Sequence, residues 1–287
     1  MHKNTFPPQA KYNWLAGLTD GDGTFSFSIN KKAENQWNCT FKIGASLRNA
    51  RILRHCHTLL GCGSVNLKSG KENAEFRIRD RKVLRRVIVP LFEKHPLWTT
   101  KAFYFQRWCT ALDIMDSCRS KQEKHQLLLL LRDSHPPSDY KAPSWGSEGV
   151  KEKSPSKSWI TGFLEAEGSF FICDKGGKEK TRMVHAFGIT QKLDKCVLEW
   201  IRGKFHMPSQ VADRRPPEAN PYWKLETTNW RVLLRLGQYF RGQFWGRKSL
   251  EYRIWYRTFK WRGNNKRLRA VQKLLRLVRA VPDAEKE

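Results

Sequence analysis

The chain has 287 residues, with 54 Lys and Arg against 27 Asp and Glu, a formal charge of +27. Apolar residues make up 39%, including 12 Trp and 16 Phe, enough to bury a sizeable core and to exclude wholesale disorder. No apolar run approaches the roughly 18 residues of a membrane span, and the length suits one large domain or two of about 100–200 residues.

The opening MHKNTFPPQAKYNW carries no apolar signal-peptide core. From Pro8 to Asp22, Trp14, Leu15 and Leu18 recur at helical spacing. Thr24 to Asn30 alternates strictly: Phe25, Phe27 and Ile29 share one face, and Thr24, Ser26, Ser28 and Asn30 the other. Trp37 to Ile43 alternates too, setting Asn38, Thr40 and Lys42 opposite Trp37, Cys39, Phe41 and Ile43. Arg51 to Leu60 reads as a helix. Ser64 to Lys68 and Glu75 to Arg79 read as strands whose polar face holds Ser64, Asn66, Lys68, Glu75, Arg77 and Arg79. Val83 to Phe92 and Lys101 to Met115 are helical, and Leu127 to Leu131 reads as the buried stripe of another helix. Arg132 to Ser158 is rich in Pro, Ser, Gly and charge without apolar period, and reads as a linker.

After it the chain repeats itself. Trp14-Leu-Ala-Gly-Leu-Thr-Asp-Gly-Asp-Gly23 followed by TFSFSIN aligns without a gap to Trp159-Ile-Thr-Gly-Phe-Leu-Glu-Ala-Glu-Gly168 followed by SFFIC. AEFRIRDRKVL around Phe76 aligns with PYWKLETTNWRVL around Trp223, and Lys101 and Trp108 with Lys248 and Trp255. The expected units are residues 1–131 and 159–287, joined by the linker 132–158. At the end, Leu268, Val271, Leu274, Leu275 and Val278 form an apolar stripe on a basic helix from Arg267 to Val281, packed on the second unit. Each unit therefore offers about four antiparallel strands with helices behind them and a polar, largely cationic face in front.

A charge of +27 calls for a polyanionic partner. Nucleic acid leads; an anionic lipid surface is second, since no single basic amphipathic helix stands apart from the rest. A β-ribbon with a polar face fits the DNA major groove. The seven cysteines are odd in number, form no CxxC pair and fall among apolar positions, so they read as buried free thiols in a reducing compartment. His55, Cys56, His57 and Cys62 match no strong zinc-ligand spacing.

Asp22 and Glu167 each stand at the C-terminal end of an apolar helix, before Gly23 or Gly168. A carboxylate there is disfavoured by the helix dipole. A divalent cation would explain the placement, since Mg²⁺ prefers carboxylate oxygens and shares its other positions with water and phosphate. The plainer alternative is that the acids offset neighbouring Arg and Lys. Ala16, Gly17, Gly21, Gly162 and Ala166 are small enough to let two helices approach closely.

LAGLTDGDG (residues 15–23) and ITGFLEAEG (residues 160–168) resemble the paired signature of the LAGLIDADG homing endonucleases, the first keeping seven of nine letters. Two copies in one chain resemble the monomeric, pseudo-symmetric members. The resemblance implies an α+β fold of two pseudo-symmetric αββαββα units, each with a saddle-shaped four-stranded antiparallel sheet. It implies motif helices packed together, with Asp22 and Glu167 binding divalent metal, normally Mg²⁺, each to cut one strand of a long double-stranded DNA target. Asp20 and Glu165 then take the earlier, structural acidic position. Lys101 and Lys248 match the basic residue that stabilises phosphate charge or positions water, and Gln191 a residue that orients water. Its counterpart is Ala45, a departure from the family pattern.

For reading DNA the same resemblance nominates Ser26, Ser28, Asn30, Lys32, Asn38, Thr40, Lys42, Asn66, Lys68, Arg77 and Arg79 in the first unit. In the second it nominates Lys175, Arg182, Gln210, Arg214 and Lys224. The family implies a mitochondrion or chloroplast, and the absence of a strong transit peptide agrees with synthesis inside the organelle. The leading expectation is a monomeric, metal-dependent homing endonuclease that promotes intron mobility. The other is a non-cutting binder of structured RNA on the same fold, as an intron-splicing maturase or a ribosome-binding component. A transcription regulator lacks any added helix-turn-helix signal.

Overall fold

The computed structural model describes residues 8–29, 36–67, 72–146, 154–176, 182–215 and 220–280. The chain divides into two compact units at Ile160 and Thr161. The first unit opens with helix α1 (Pro8–Asp22) and passes directly into strand β1 (Gly23–Ile29). Strand β2 (Trp37–Ser46), helix α2 (Ala50–Leu60) and strands β3 (Ser64–Leu67) and β4 (Asn73–Ile78) follow. Helices α3 (Arg81–Val83), α4 (Val89–Lys94), α5 (Lys101–Asp116) and α6 (Lys121–Arg132) complete it. The strands pair antiparallel in the order β1-β2-β4-β3.

The second unit repeats this plan. Helix α7 (Lys157–Glu167) leads into β5 (Gly168–Asp174), β6 (Met183–Gln191), α8 (Lys195–Lys204), β7 (Ala212–Arg214) and β8 (Tyr222–Thr227). Helices α9 (Trp230–Tyr239), α10 (Lys248–Arg257) and α11 (Asn265–Ala280) close it, and the sheet order is β5-β6-β8-β7. The fold is therefore α+β, two units each with a four-stranded antiparallel sheet.

The alternation read in β1 and β2 decides which face packs. Phe25 and Phe41 turn inward, with Phe25 meeting Phe92, Phe105 and Trp108. In the second unit Phe170 meets Phe187, Phe244, Tyr252 and Trp255 in the same way. These rings are buried and are among the largest side chains of the two cores. The switch from helix to strand needs glycine. A Cβ at Gly23 would stand 2.5 Å from the Thr19 carbonyl oxygen, and one at Gly168 2.8 Å from that of Leu164. The helical stretch expected from Val83 to Phe92 is interrupted at Leu84–Ile88 by a π-turn, in which the Val89 N–H reaches back to the Leu84 carbonyl. Pro90 follows, and it has no N–H with which to continue an α-helical ladder.

Several expectations change. Of the leucines from Leu127 to Leu131 only Leu128 is buried, and Leu130 is 74% exposed, because α6 meets the unit along one narrow line. In α11, Leu268, Val271 and Leu275 pack on Ile172 and Met183, whereas Leu274 turns to solvent at 46% exposure. The cysteines are free, but only Cys39 and Cys56 are buried, and Cys118 is exposed. Burial pushes the Cys39 and Cys109 thiols up to about 12, which leaves them protonated and unreactive. The register sets Ile43 beside Phe76 and Ile189 beside Leu225, so Phe76 corresponds to Leu225 and not to Trp223.

Each unit holds a histidine whose pKa burial lowers. His185 is buried, hydrogen-bonded to Thr258 Oγ1 at 3.0 Å, and burial lowers its pKa to about 4. His55 packs edge-on to Trp14 and is also lowered to about 4, by burial first and then by Lys11. The unfolded chain takes up these protons near pH ~6.5 while the folded chain does not. Stability present above that pH is therefore lost as pH falls toward 4, at about 1.4 kcal/mol per pH unit for each histidine. Urea melts should show a lower midpoint at about pH 5 than at about pH 7, and His185→Gln should flatten that dependence.

Candidate active site

The last acid of each motif ends its helix and adjoins the first strand. Asp22 is exposed at the end of α1, and Glu167 is half-buried at the end of α7. The earlier acid of each motif is buried and committed to holding the fold. Asp20, 2% exposed, accepts four hydrogen bonds. Its Oδ2 takes the backbone N–H of Trp98 and the indole N–H of Trp159, both at 2.8 Å. Its Oδ1 takes the backbone N–H and hydroxyl of Thr99 at 3.2 and 2.5 Å. Glu165, 4% exposed, accepts from the backbone N–H groups of Trp245 and of Gly246, the latter at 2.9 Å. Charge-assisted bonds of this kind are about twice as strong as neutral ones.

These bonds fix the segment that starts α5 or α10, and with it a lysine. Lys101 opens α5, and its ammonium donates to the Gly23 carbonyl at 2.6 Å, next to Asp22. Lys248 opens α10 in the equivalent place, but its ammonium lies 3.9 Å from Glu251 Oε2. Glu251 is buried and paired with Arg279 of α11 at 3.0 Å. Arg279 also donates to the Phe170 carbonyl at 3.0 Å. Sequence reasoning missed Trp98, Thr99, Glu251 and Arg279. One signal was available: a tryptophan stands three residues before the lysine in both copies, Trp98 before Lys101 and Trp245 before Lys248.

The outer face of the first sheet carries Ser26, Ser28, Asn38, Thr40, Lys42, Asn66 and Arg77, brought together by the strand registers. Arg77 is paired with Glu75 on the same strand at 3.0 Å. Arg79 is exposed beyond β4, where it lines a cavity of about 530 Å³ with Arg81, Lys121 and Lys124, cations that the sequence did not group. Asn30, Lys32 and Lys68 lie outside the described residues.

The second sheet departs from the expected polar face. Register equates Ser26 with Phe171, Ser28 with Cys173, Asn38 with Val184, Thr40 with Ala186 and Lys42 with Gly188. That strip is apolar. The cations sit around it. Lys175 and Arg182 are exposed at the β5–β6 hairpin, where the Lys175 N–H meets the Arg182 carbonyl at 2.8 Å. Arg214 is exposed on β7, and Gln210 is exposed just before that strand. Lys224 pairs with Glu226 at 2.6 Å. Register equates Glu75 with Lys224 and Arg77 with Glu226, so the ion pair runs in opposite order on the two sheets. Gln191 ends β6 opposite Trp223, and its equivalent is Ala45, opposite Ala74.

The donor chemistry fits a hard cation. Among the described residues no three His, Cys, Asp or Glu side chains gather as a ligand set. Each motif instead offers one carboxylate at its end. That suits Mg²⁺, which takes one or two carboxylates and completes its shell with water and substrate phosphate, better than it suits a closed zinc cage.

Residues 15–112 match the family model described as LAGLIDADG endonuclease. The probable intron-encoded endonuclease Cox1-I1b of Schizosaccharomyces pombe is 34% identical over 269 residues, covering 92% of this chain and 67% of that protein. The uncharacterized mitochondrial protein RF1 of Saccharomyces cerevisiae is 23% identical over 278 residues, covering 89% of this chain and 56% of that protein. Among solved structures, the meganuclease I-SmaMI bound to uncleaveable DNA shares the fold with a TM-score of 0.74 at 19% identity, covering 96% of this chain and 99% of that one. The paired motif, the repeated sheet order and the likeness across nearly the whole chain agree: the protein belongs to the LAGLIDADG endonuclease family.

Proposed function

We propose that this chain is a site-specific endonuclease that makes a double-strand break in a long DNA target and so promotes the mobility of an intron. The observation that carries this reading is the arrangement repeated in each unit. A carboxylate ends the motif helix, and a lysine opens the helix that a buried acid docks beside it. Asp22 and Glu167 would hold divalent metal, Mg²⁺ by preference, which supplies an acidified water and neutralises phosphate charge. One acid serves each strand. Lys101, oriented by the Gly23 carbonyl, places an ammonium where the phosphate gains charge. Lys248 takes that role in the second unit from beside Glu251, 3.9 Å away, and Gln191 orients water. The polar outer faces position the duplex, with phosphate contacts supplying affinity and base contacts supplying choice of site.

With both motifs in one chain, the enzyme acts as a monomer. The S. cerevisiae relative is a mitochondrial protein, which supports a mitochondrial rather than a chloroplast setting. A second reading, a non-cutting binder of structured RNA, is favoured by one observation. Ala45 stands where the other half has Gln191, so the halves are not equally equipped.

The test is cleavage of a plasmid carrying the uninterrupted insertion site of the chain's own coding frame. Linear product with Mg²⁺ and none with chelator is expected. Asp22→Asn or Glu167→Gln should each slow cutting of one strand by at least about a hundredfold, leaving nicked circles. Tight RNA binding with no cleavage would favour the second reading. The two kinds of acid should separate by stability. Asp20→Ala, which strands the donors of Trp98, Thr99 and Trp159, should cost at least about 3 kcal/mol in urea unfolding, whereas Asp22→Asn should cost far less.

A further inference from the structure

The two sheets present different chemistry at equivalent positions. Where the first offers hydroxyls, amides and a lysine, the second offers Phe171, Cys173 and Val184, packed around a fully buried Ala186. Phe171 is half-buried and lies over Gly188, whose position would bring a Cβ to 3.4 Å from the ring. Ala186 is buried beside it in register. The side chains of this strip have almost no hydrogen-bonding capacity, and the Glu226–Lys224 ion pair borders them at Gly188. Exposed Lys175 and Arg182 nevertheless stand at the strip's hairpin end.

We propose that the second sheet reads its half of the DNA target through the C5-methyl groups of thymine, so that the target is thymine-rich on that side and specified by hydrogen bonds on the other. The inference rests on the endonuclease reading given above. The thymine methyl is the apolar group that base edges present in the major groove, and Ala, Phe and similar side chains recognise it by contact. The cations beside the strip favour a polyanion over an apolar protein partner, since they would contact phosphate while the strip meets the base edges. Strand for strand, the strip is the register equivalent of the polar face of the first sheet. A target read this way is asymmetric, and the asymmetry follows the order of the two units.

The experiment selects binders from a library of DNA duplexes randomised over about two helical turns (~20 base pairs), using the full chain with Ca²⁺ in place of Mg²⁺. Enriched sequences should carry thymines clustered in one half. Replacing those thymines by deoxyuridine, which removes only the methyl, should weaken binding about fourfold for each methyl in contact. The same replacement in the other half should change little. Phe171→Ser and, separately, Val184→Thr should each reduce that sensitivity. Enrichment without thymine clustering, or equal deoxyuridine sensitivity in both halves, would overturn this inference alone. Absence of any enriched sequence would overturn the site-specific endonuclease reading and this inference with it.

Discussion

A buried carboxylate that answers backbone N–H groups organises each half of this protein. Asp20 gathers the amides of Trp98 and Thr99 and the indole of Trp159, and Glu165 gathers those of Trp245 and Gly246. A charge taken out of water is tolerated only when such donors replace the hydration it lost. The arrangement is therefore all-or-none. When it forms, the first turn of α5 or α10 is docked near the end of the motif helix, and the lysine that opens it is held there. The acid two residues later, Asp22 or Glu167, ends the motif helix nearer the surface. One motif thus contains a deeply buried acid and a more accessible one, distinguished by burial and not by residue type.

The sequence disclosed the elements wherever one face of a segment is wet. Strict alternation in β1 and β2, and the helical spacing of Trp14, Leu15 and Leu18, gave strands and helices whose bounds differ little from those observed. The repeat disclosed the twofold plan, because Gly23 and Gly168 are required by the same close approach of a carbonyl oxygen. Where a strand is apolar on both sides, period disappears. The run SFFIC alone gave no hint that Phe171 faces outward and Phe170 inward; only its alignment with TFSFSIN, which sets Phe170 on Phe25 and Phe171 on Ser26, carries it. The partners of Asp20 were hidden for a different reason. They lie 78, 79 and 139 residues away along the chain, and local pattern carries no information about such pairings. Leu130 shows the converse limit, since an apolar run does not say how much of a helix its neighbours will cover.

The halves share a scaffold and have diverged on its surface. Core rings repeat almost position for position, from Phe25 and Phe170 to Trp108 and Trp255. The outer strands do not, and the ion pair of Glu75 and Arg77 is reversed as Lys224 and Glu226. Packing constrains the interior of each unit alike, because a core tolerates little change in volume. The outer face answers only to what it touches. A single chain with two such faces is free to adapt each to a different sequence, which two identical subunits could not do.

Arg279 gives the far end of the chain an influence on how the second half is made. It lies near the end of α11, yet it neutralises Glu251 and ties down the Phe170 carbonyl, both in the interior of that unit. During synthesis Glu251 leaves the ribosome before its guanidinium partner exists. Until residue 279 has emerged, the nascent second half harbours an acid whose burial is unfavourable. Ribosomes that stop before that point would release chains whose second half buries Glu251 without its guanidinium partner.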